Sequence, residues 1–277
     1  MVHVKCLAPT DPDYNFLYCP SFPAAVLFSV LFGLTTLGHI VQAILYRKKF
    51  CGVIIVGGLW ETFGLFIRVF SVLHTTSNTL AIASQLFILL APLWINAFLY
   101  VLMARLVYLF VPEKRIGRIE AQRLSLAFLI QAVGGSIGVA SDTPKMQLIG
   151  IHVYEGGIAL QQLFILGFIG LVIRFQYKMR RLEGSTEWKR PLYTIYVSLG
   201  LITTRIIYRL VEYSGGVYTP ITLHEAPFYC LDALPMFAAL LLWNTFHPGP
   251  VLVGPESEFP KKSRKERKAE KAARAAA

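Results

Sequence analysis

Eight ionisable residues stand in or beside apolar sequence that leaves them little access to water: Glu61, Arg68, Arg205, Arg209, Glu212, His224, Glu225 and Asp232. An interval of seven puts Glu61 and Arg68 on one helix face, about 10 Å apart along the axis. Arg205, Arg209 and Glu212 follow at i, i+4 and i+7 and form a single stripe. Glu225 and Asp232 repeat the interval of seven, with His224 alongside. Each charge in hydrocarbon costs several kcal/mol unless it is paired or hydrated. Two uses follow. The charges can pair with one another and fix helix register, or they can line a polar cavity for a ligand. Pairing suffices for any single couple, such as Arg209 with Glu212. The whole set, joined by Glu155, points to a polar cavity in the outer half of the bilayer. Three arginines and four or five carboxylates in one half-membrane need water or a polar ligand to satisfy them.

Helices must carry these residues. Seven apolar runs, 24–46, 52–73, 80–110, 124–142, 148–173, 191–213 and 225–246, each come close to or exceed the ~20 residues that cross a bilayer as a helix. Of the 27 Lys and Arg residues, 21 fall in the gaps after the first, third and fifth runs and in the tail. Positive residues stay cytoplasmic. The expected fold is therefore an all-α polytopic membrane protein, a seven-transmembrane-helix bundle with its N-terminus outside and its C-terminus in the cytoplasm. Its expected parts are an extracellular segment 1–23, a membrane domain 24–246 and a basic cytoplasmic tail 247–277. The first 23 residues have no apolar core, so the first helix is expected to act as its own insertion signal.

Composition agrees. Apolar residues make up 55% of the 277 and charged residues 16%, and mean hydropathy is +0.54. The net charge of +11 does not indicate nucleic acid, because the basic residues are divided among loops on one membrane face. Anionic inner-leaflet lipid is the simpler partner.

Packing can also be read. Pro92 and Pro235 should bend their helices. Gly57 and Gly64, then Gly134 and Gly138, then Gly156, Gly157, Gly167 and Gly170 suggest close helix approach. Gln42, Gln85, Asn96, Gln131, Gln161 and Gln162 read mostly as interhelical hydrogen bonders, and His39 as a packing residue. Tyr18, Trp94, Tyr108, Trp188 and Trp243 could be interfacial anchors. Arg105 can snorkel to the head groups. Cys6 and Cys19 share a segment where oxidation is permitted, so they are either a possible disulfide or two free thiols. His74, His152 and His224 with Asp142 and Glu225 would have to converge to hold zinc, and no metal-ligand spacing links them. No P-loop is present. No cofactor and no metal are expected, and nothing in the sequence sets an oligomeric state.

The motifs then form a pattern. Tyr18-Cys19-Pro20-Ser21, His39 and Gln42, the Gly58, Glu61, Gly64, Arg68 series, and Leu90-Ala91-Pro92 with Tyr100 and Arg105 come first. Gln131 to Gly135, and Gly157 with Gln161, follow. The most specific block runs from Arg205 to Tyr213, then His224-Glu225, Tyr229, Asp232-Ala233, Pro235-Met236 and His247-Pro248-Gly249. This order resembles the fungal seven-helix lipid-translocating exporters of the resistance-to-aminocholesterol type. Ala25, Leu65 and Leu124 depart from the pattern, and Glu155 is not a position associated with the family.

The resemblance implies a non-enzymatic plasma-membrane transporter or resistance factor for amphipathic lipids such as sphingoid long-chain bases or aminosterols. Glu61, Glu212, Glu225 and Asp232 become candidate head-group contacts. Alternatives are a receptor-like protein, since seven helices with an outside N-terminus also suit a receptor, a sensor that binds lipid or porphyrin, and an intramembrane zinc amidase. The expected partners are membrane lipids and amphipathic small molecules.

Overall fold

The computed structural model describes residues 4, 6, 14–116, 119–120, 144–182, 185–214 and 221–252, with side chains in the fourth long helix described from residue 156 onward. Helix α1 (Phe22–Tyr46) starts where the Ser21 hydroxyl accepts the Ala24 N–H and Pro23 sits in the first turn, a place that needs no donor. Then come α2 (Gly52–Leu73), α3 (Asn78–Phe110), α4 (Pro144–Arg181) and α5 (Lys189–Ser214). A π-helical segment, Phe228–Ala233, leads directly into α6 (Leu234–Thr245). A minimal hairpin after α3 pairs Arg115 with Glu120 and Ile116 with Ile119.

Six helices in the described residues are long and apolar enough to cross a membrane. The expected fold class, a seven-helix bundle, is therefore corrected to an all-α polytopic protein with six described spans. The run expected at 124–142 lies outside the described residues, as do Gln131, Gly134, Gly138 and Asp142, and the side chains of His152 and Glu155.

Contacts set the helix directions. Tyr46 stacks on His247 with ring centroids 4.6 Å apart, and Ser21 N–H donates to Glu225, so α1 and α6 run parallel. Lys178 reaches Glu113 at 2.5 Å, so the C-terminal ends of α3 and α4 meet. That hydrogen bond and the ammonium charge hold the exposed Glu113 carboxyl below its usual range. The chain ends bearing Arg47 to Lys49, Lys114 and Arg190 thus gather at one end of the bundle, called the basic end below. Helices α1, α3, α4 and α6 run toward it, and α2 and α5 run away from it.

Helix α3 is the central element. Every residue from Ile95 to Ala104 is buried, as expected of a helix surrounded by others. Opposite faces of α1 (Leu27, Val30, Leu34, Leu37) and α4 (Leu160, Leu163, Leu166, Ile173) are exposed and apolar, which suits contact with acyl chains.

Helix α2 lies between α1 and α3 because its glycines remove the side chains that would hold the helices apart. A Cβ on Gly58 would stand 2.5 Å from Thr36 Oγ1 of α1, and one on Gly64 would stand 2.7 Å from Ile88 Cγ1 of α3. Among the described residues the glycine stripe of α4 meets no such neighbour. Gly156, Gly157, Gly167 and Gly170 have no described atom within 4 Å of their Cβ positions. Trp243 is fully buried against Phe98 with centroids 5.2 Å apart, so it is a core residue and not an interfacial anchor. His39 packs as expected, its Nε2 3.1 Å from Leu240 O.

Candidate ligand site

The buried stripe of α2 reads Ile54, Gly57, Gly58, Glu61, Gly64, Leu65, Arg68, Ser71 and Val72, so two charges interrupt an otherwise small and apolar face. The inward face of α5 carries Ile195, Ser198, Leu199, Ile202, Arg205, Ile206 and Arg209. Both stripes approach the π segment, where Asp232 is buried.

Asp232 is the hub. Arg205 and Arg209 both pair with its carboxylate, one on each oxygen. Arg209 also donates from Nη1 to Glu212 Oε2 at 2.7 Å, and Tyr208 donates to the other Glu212 oxygen at 2.9 Å. Arg205 has a further task. Its Nη2 donates to Ile88 O on α3 at 2.8 Å. That carbonyl would normally accept the N–H of residue 92, and residue 92 is proline. The guanidinium supplies the missing donor, and α3 continues unbroken through Pro92.

A second group lies nearer the bundle end that is away from the basic loops. Arg68 donates from Nη2 to Tyr18 Oη at 2.8 Å and lies 3.4 Å from both Tyr229 Oη and Glu225 Oε1. The Phe228 ring covers its guanidinium at 4.1 Å. Glu225 also accepts the Ser21 N–H at 2.7 Å, which ties α6 to the start of α1. The segment before α1 covers this group: Asn15 bonds Thr75 O through both its backbone and its side chain, and Cys6 is joined to Cys19.

Seven of the eight expected residues belong to this charged layer. His224 is exposed and lies outside the buried group. The ion pairs largely satisfy one another, where the sequence alone suggested that water or ligand must do so. Among the described residues of the layer, Glu61 is the carboxylate that joins no ion pair. It is 2% exposed, and its Oε1 has no hydrogen-bond partner among the described residues. Arg205, Asp232 and Arg209 are the charges that act on it.

Reasoning from single runs missed the aromatic partners Tyr18, Tyr208, Phe228 and Tyr229. The available signal was spacing: Tyr208 lies four residues before Glu212, and Tyr229 three before Asp232. Of the neutral polar residues, Gln42 donates to Asn244 O at 2.6 Å. Asn96 does not fit the interhelical expectation, since neither side-chain polar atom has a partner among the described residues. No cluster of three or more His, Cys, Asp or Glu residues able to hold a metal ion occurs among the described residues.

Comparison with known proteins agrees with this layout. Residues 54–254 match the family model described as RTA1 like protein. The chain is 43% identical to the probable lipid transporter atnI of Emericella nidulans, covering 91% of this chain and 72% of that protein. It is 26% identical to the lipid-translocating exporter-like protein RTA1 of Leptosphaeria maculans, over 86% of this chain and 52% of that longer protein. It is 23% identical to the sphingoid long-chain base transporter RSB1 of Saccharomyces cerevisiae, over 89% of this chain and 77% of that protein. No solved structure matches. An integral protein of the plasma membrane is consistent with these relationships. The chain belongs to the RTA1-like family of fungal lipid-translocating exporters, polytopic membrane proteins of lipid transport and resistance.

Proposed function

We propose that this chain moves single-chain amphipathic lipids with a cationic head, of the sphingoid-base or aminosterol class, across the bilayer, with the carboxylates of the charged layer receiving the head. One observation carries the reading. Four carboxylates (Glu61, Glu212, Glu225 and Asp232) share the layer with three arginines (Arg68, Arg205 and Arg209) among the described residues, and Glu61, the carboxylate left without an ion pair, has a buried oxygen with no hydrogen-bond partner. A buried anion without a counter-charge is unfavourable, so a cationic ligand finds there a site that is short of one positive charge. The exposed apolar faces of α1 and α4 suit the acyl chain. The transporter of Saccharomyces cerevisiae whose name specifies sphingoid long-chain bases lends the substrate class further support. The receptor-like alternative rested on a seven-helix topology and has no observation of its own.

The test is reconstitution into liposomes with a fluorescent sphingoid base. Wild type should move the lipid faster than protein-free liposomes. Glu61→Gln and Asp232→Asn should each slow it by tenfold or more while the protein still elutes as a single folded species. Movement no faster than in empty liposomes would end the transport reading. Full activity in both variants would remove the site from it.

A further inference from the structure

Glu61 sits at the tenth of the 22 residues of α2, midway along a membrane-length helix and nearly sealed from solvent. Its surroundings can be stated helix by helix. Helix α5 presents Arg205 and Arg209, and the π segment presents Asp232. Helix α1 contains no Asp, Glu, Lys or Arg, and its one histidine, His39, is bonded to Leu240 O. Helix α3 contains a single charged residue, Arg105, near its far end over the Phe50 ring. On α2 itself the other charge is Arg68, held by Tyr18, Tyr229 and Glu225. Both arginines that act on Glu61 are already engaged by Asp232.

The layer therefore has room for one more positive charge, and its place is at Glu61 Oε1. We infer that this place is occupied alternately by a proton and by the ammonium head of the transported lipid, making translocation an exchange of one proton for one lipid cation. This rests on the transport reading above and names its coupling ion. In the empty protein Glu61 carries the proton. When the head arrives from one side, the carboxylic O–H bond breaks, the proton leaves to that side, and the carboxylate pairs with the ammonium. When the head departs to the other side, a proton from that side restores the O–H bond. Charge is conserved in each half-cycle, and the buried layer never holds a surplus anion.

The experiment uses proteoliposomes of the full chain with a pH-sensitive dye in the lumen and a fluorescent single-chain amphiphile bearing a quaternary ammonium. That head carries no proton of its own, so any linked proton movement belongs to the protein. As the amphiphile enters, the lumen should become more alkaline, with one proton leaving per molecule moved. A gradient of one pH unit should draw the amphiphile to about a tenfold concentration ratio, accumulating on the acidic side. Glu61→Gln should abolish both effects, and Glu61→Asp should retain the proton signal at a reduced rate. Wild-type movement with no lumenal pH change, or a gradient response that survives in Glu61→Gln, overturns the exchange and leaves lipid translocation standing. Absence of movement under every gradient overturns both.

Discussion

Arg205 and Pro92, on different helices and 113 positions apart in sequence, meet at one carbonyl: the proline leaves Ile88 O without its helical donor and the guanidinium supplies one at 2.8 Å. Because the same side chain pairs with Asp232, it joins α3 to the π segment through α5. Two costs are offset by one residue, the orphaned acceptor and the buried anion.

Arg205→Met should therefore destabilise the bundle by about 3–5 kcal/mol, since it also strips a counter-charge from Asp232. Pro92→Ala restores an N–H for Ile88 O and should recover roughly 1 kcal/mol in the Arg205→Met background. Thermal unfolding of the four combinations in detergent gives the coupling. Strict additivity would show that the two residues do not share the acceptor.

The glycines of α2 and α4 should behave in opposite ways. Gly64→Ala drives a methyl to 2.7 Å from Ile88 Cγ1 and 3.0 Å from Ile88 N, and should cost about 1–3 kcal/mol. Gly170→Ala meets no described atom within 4 Å and should be neutral or stabilising by up to about 1 kcal/mol. Melting temperatures of the purified variants decide it, and equal losses at both positions would contradict the packing.

The segment before α1 should loosen when its tie is cut. The Cys6–Cys19 link spans 13 residues, and closing a loop of that size is worth about 3 kcal/mol in the entropic account. The double change Cys6→Ser with Cys19→Ser should make the chain before Ser21 sensitive to limited proteolysis. Tyr18→Phe, which removes the 2.8 Å bond to Arg68, should do so more weakly. Unchanged protection in both would show that the segment is held by other contacts.

At the basic end, burial pushes the His247 imidazole down to about 4. Gly249 N–H donates to its Nδ1 at 3.0 Å, so protonation there would set two donors face to face. The folded protein resists the proton while an opened chain accepts it near 6.5. This corner should thus be fully stable above about pH 6.5 and weaken as pH falls toward 4. Labelling of Cys51, whose Sγ lies 3.5 Å from His247 Nε2, should rise across that interval when expressed relative to the rate of a free thiol at the same pH, which removes the loss of thiolate on acidification. A flat relative rate from pH 7 to 4.5 would refute the assignment.

Much of this arrangement is legible in the sequence because lipid allows few alternatives. Five of the apolar runs contain or nearly contain the helices Phe22–Tyr46, Gly52–Leu73, Asn78–Phe110, Lys189–Ser214 and the Phe228–Thr245 stretch, since a hydrocarbon span needs that length. Helix Pro144–Arg181 runs eight residues past its run, because a basic last turn can leave the hydrocarbon and pair with Glu113. The charged residues were recognisable for the same reason. Their partners were not. Asp232 could have met Arg68 as readily as Arg209, because spacing along one helix says nothing of which neighbour it faces. The glycines failed in the same way: Gly64 and Gly170 look alike in sequence, and only the neighbouring helix distinguishes them.

The π segment has one more implication. The bond from Leu234 N–H to Tyr229 O skips one residue farther back than an α-helix would, just before Pro235, which has no N–H to give. One extra residue turns the following chain by about 100° relative to a continuous α-helix. The half bearing Glu225 and Asp232 and the half bearing Met236, Leu240 and Trp243 are thus indexed independently, one to ionic neighbours and the other to the oily centre. Removing a single residue between Phe228 and Ala233 would leave composition and hydropathy almost untouched, yet it would swing one of these halves out of register.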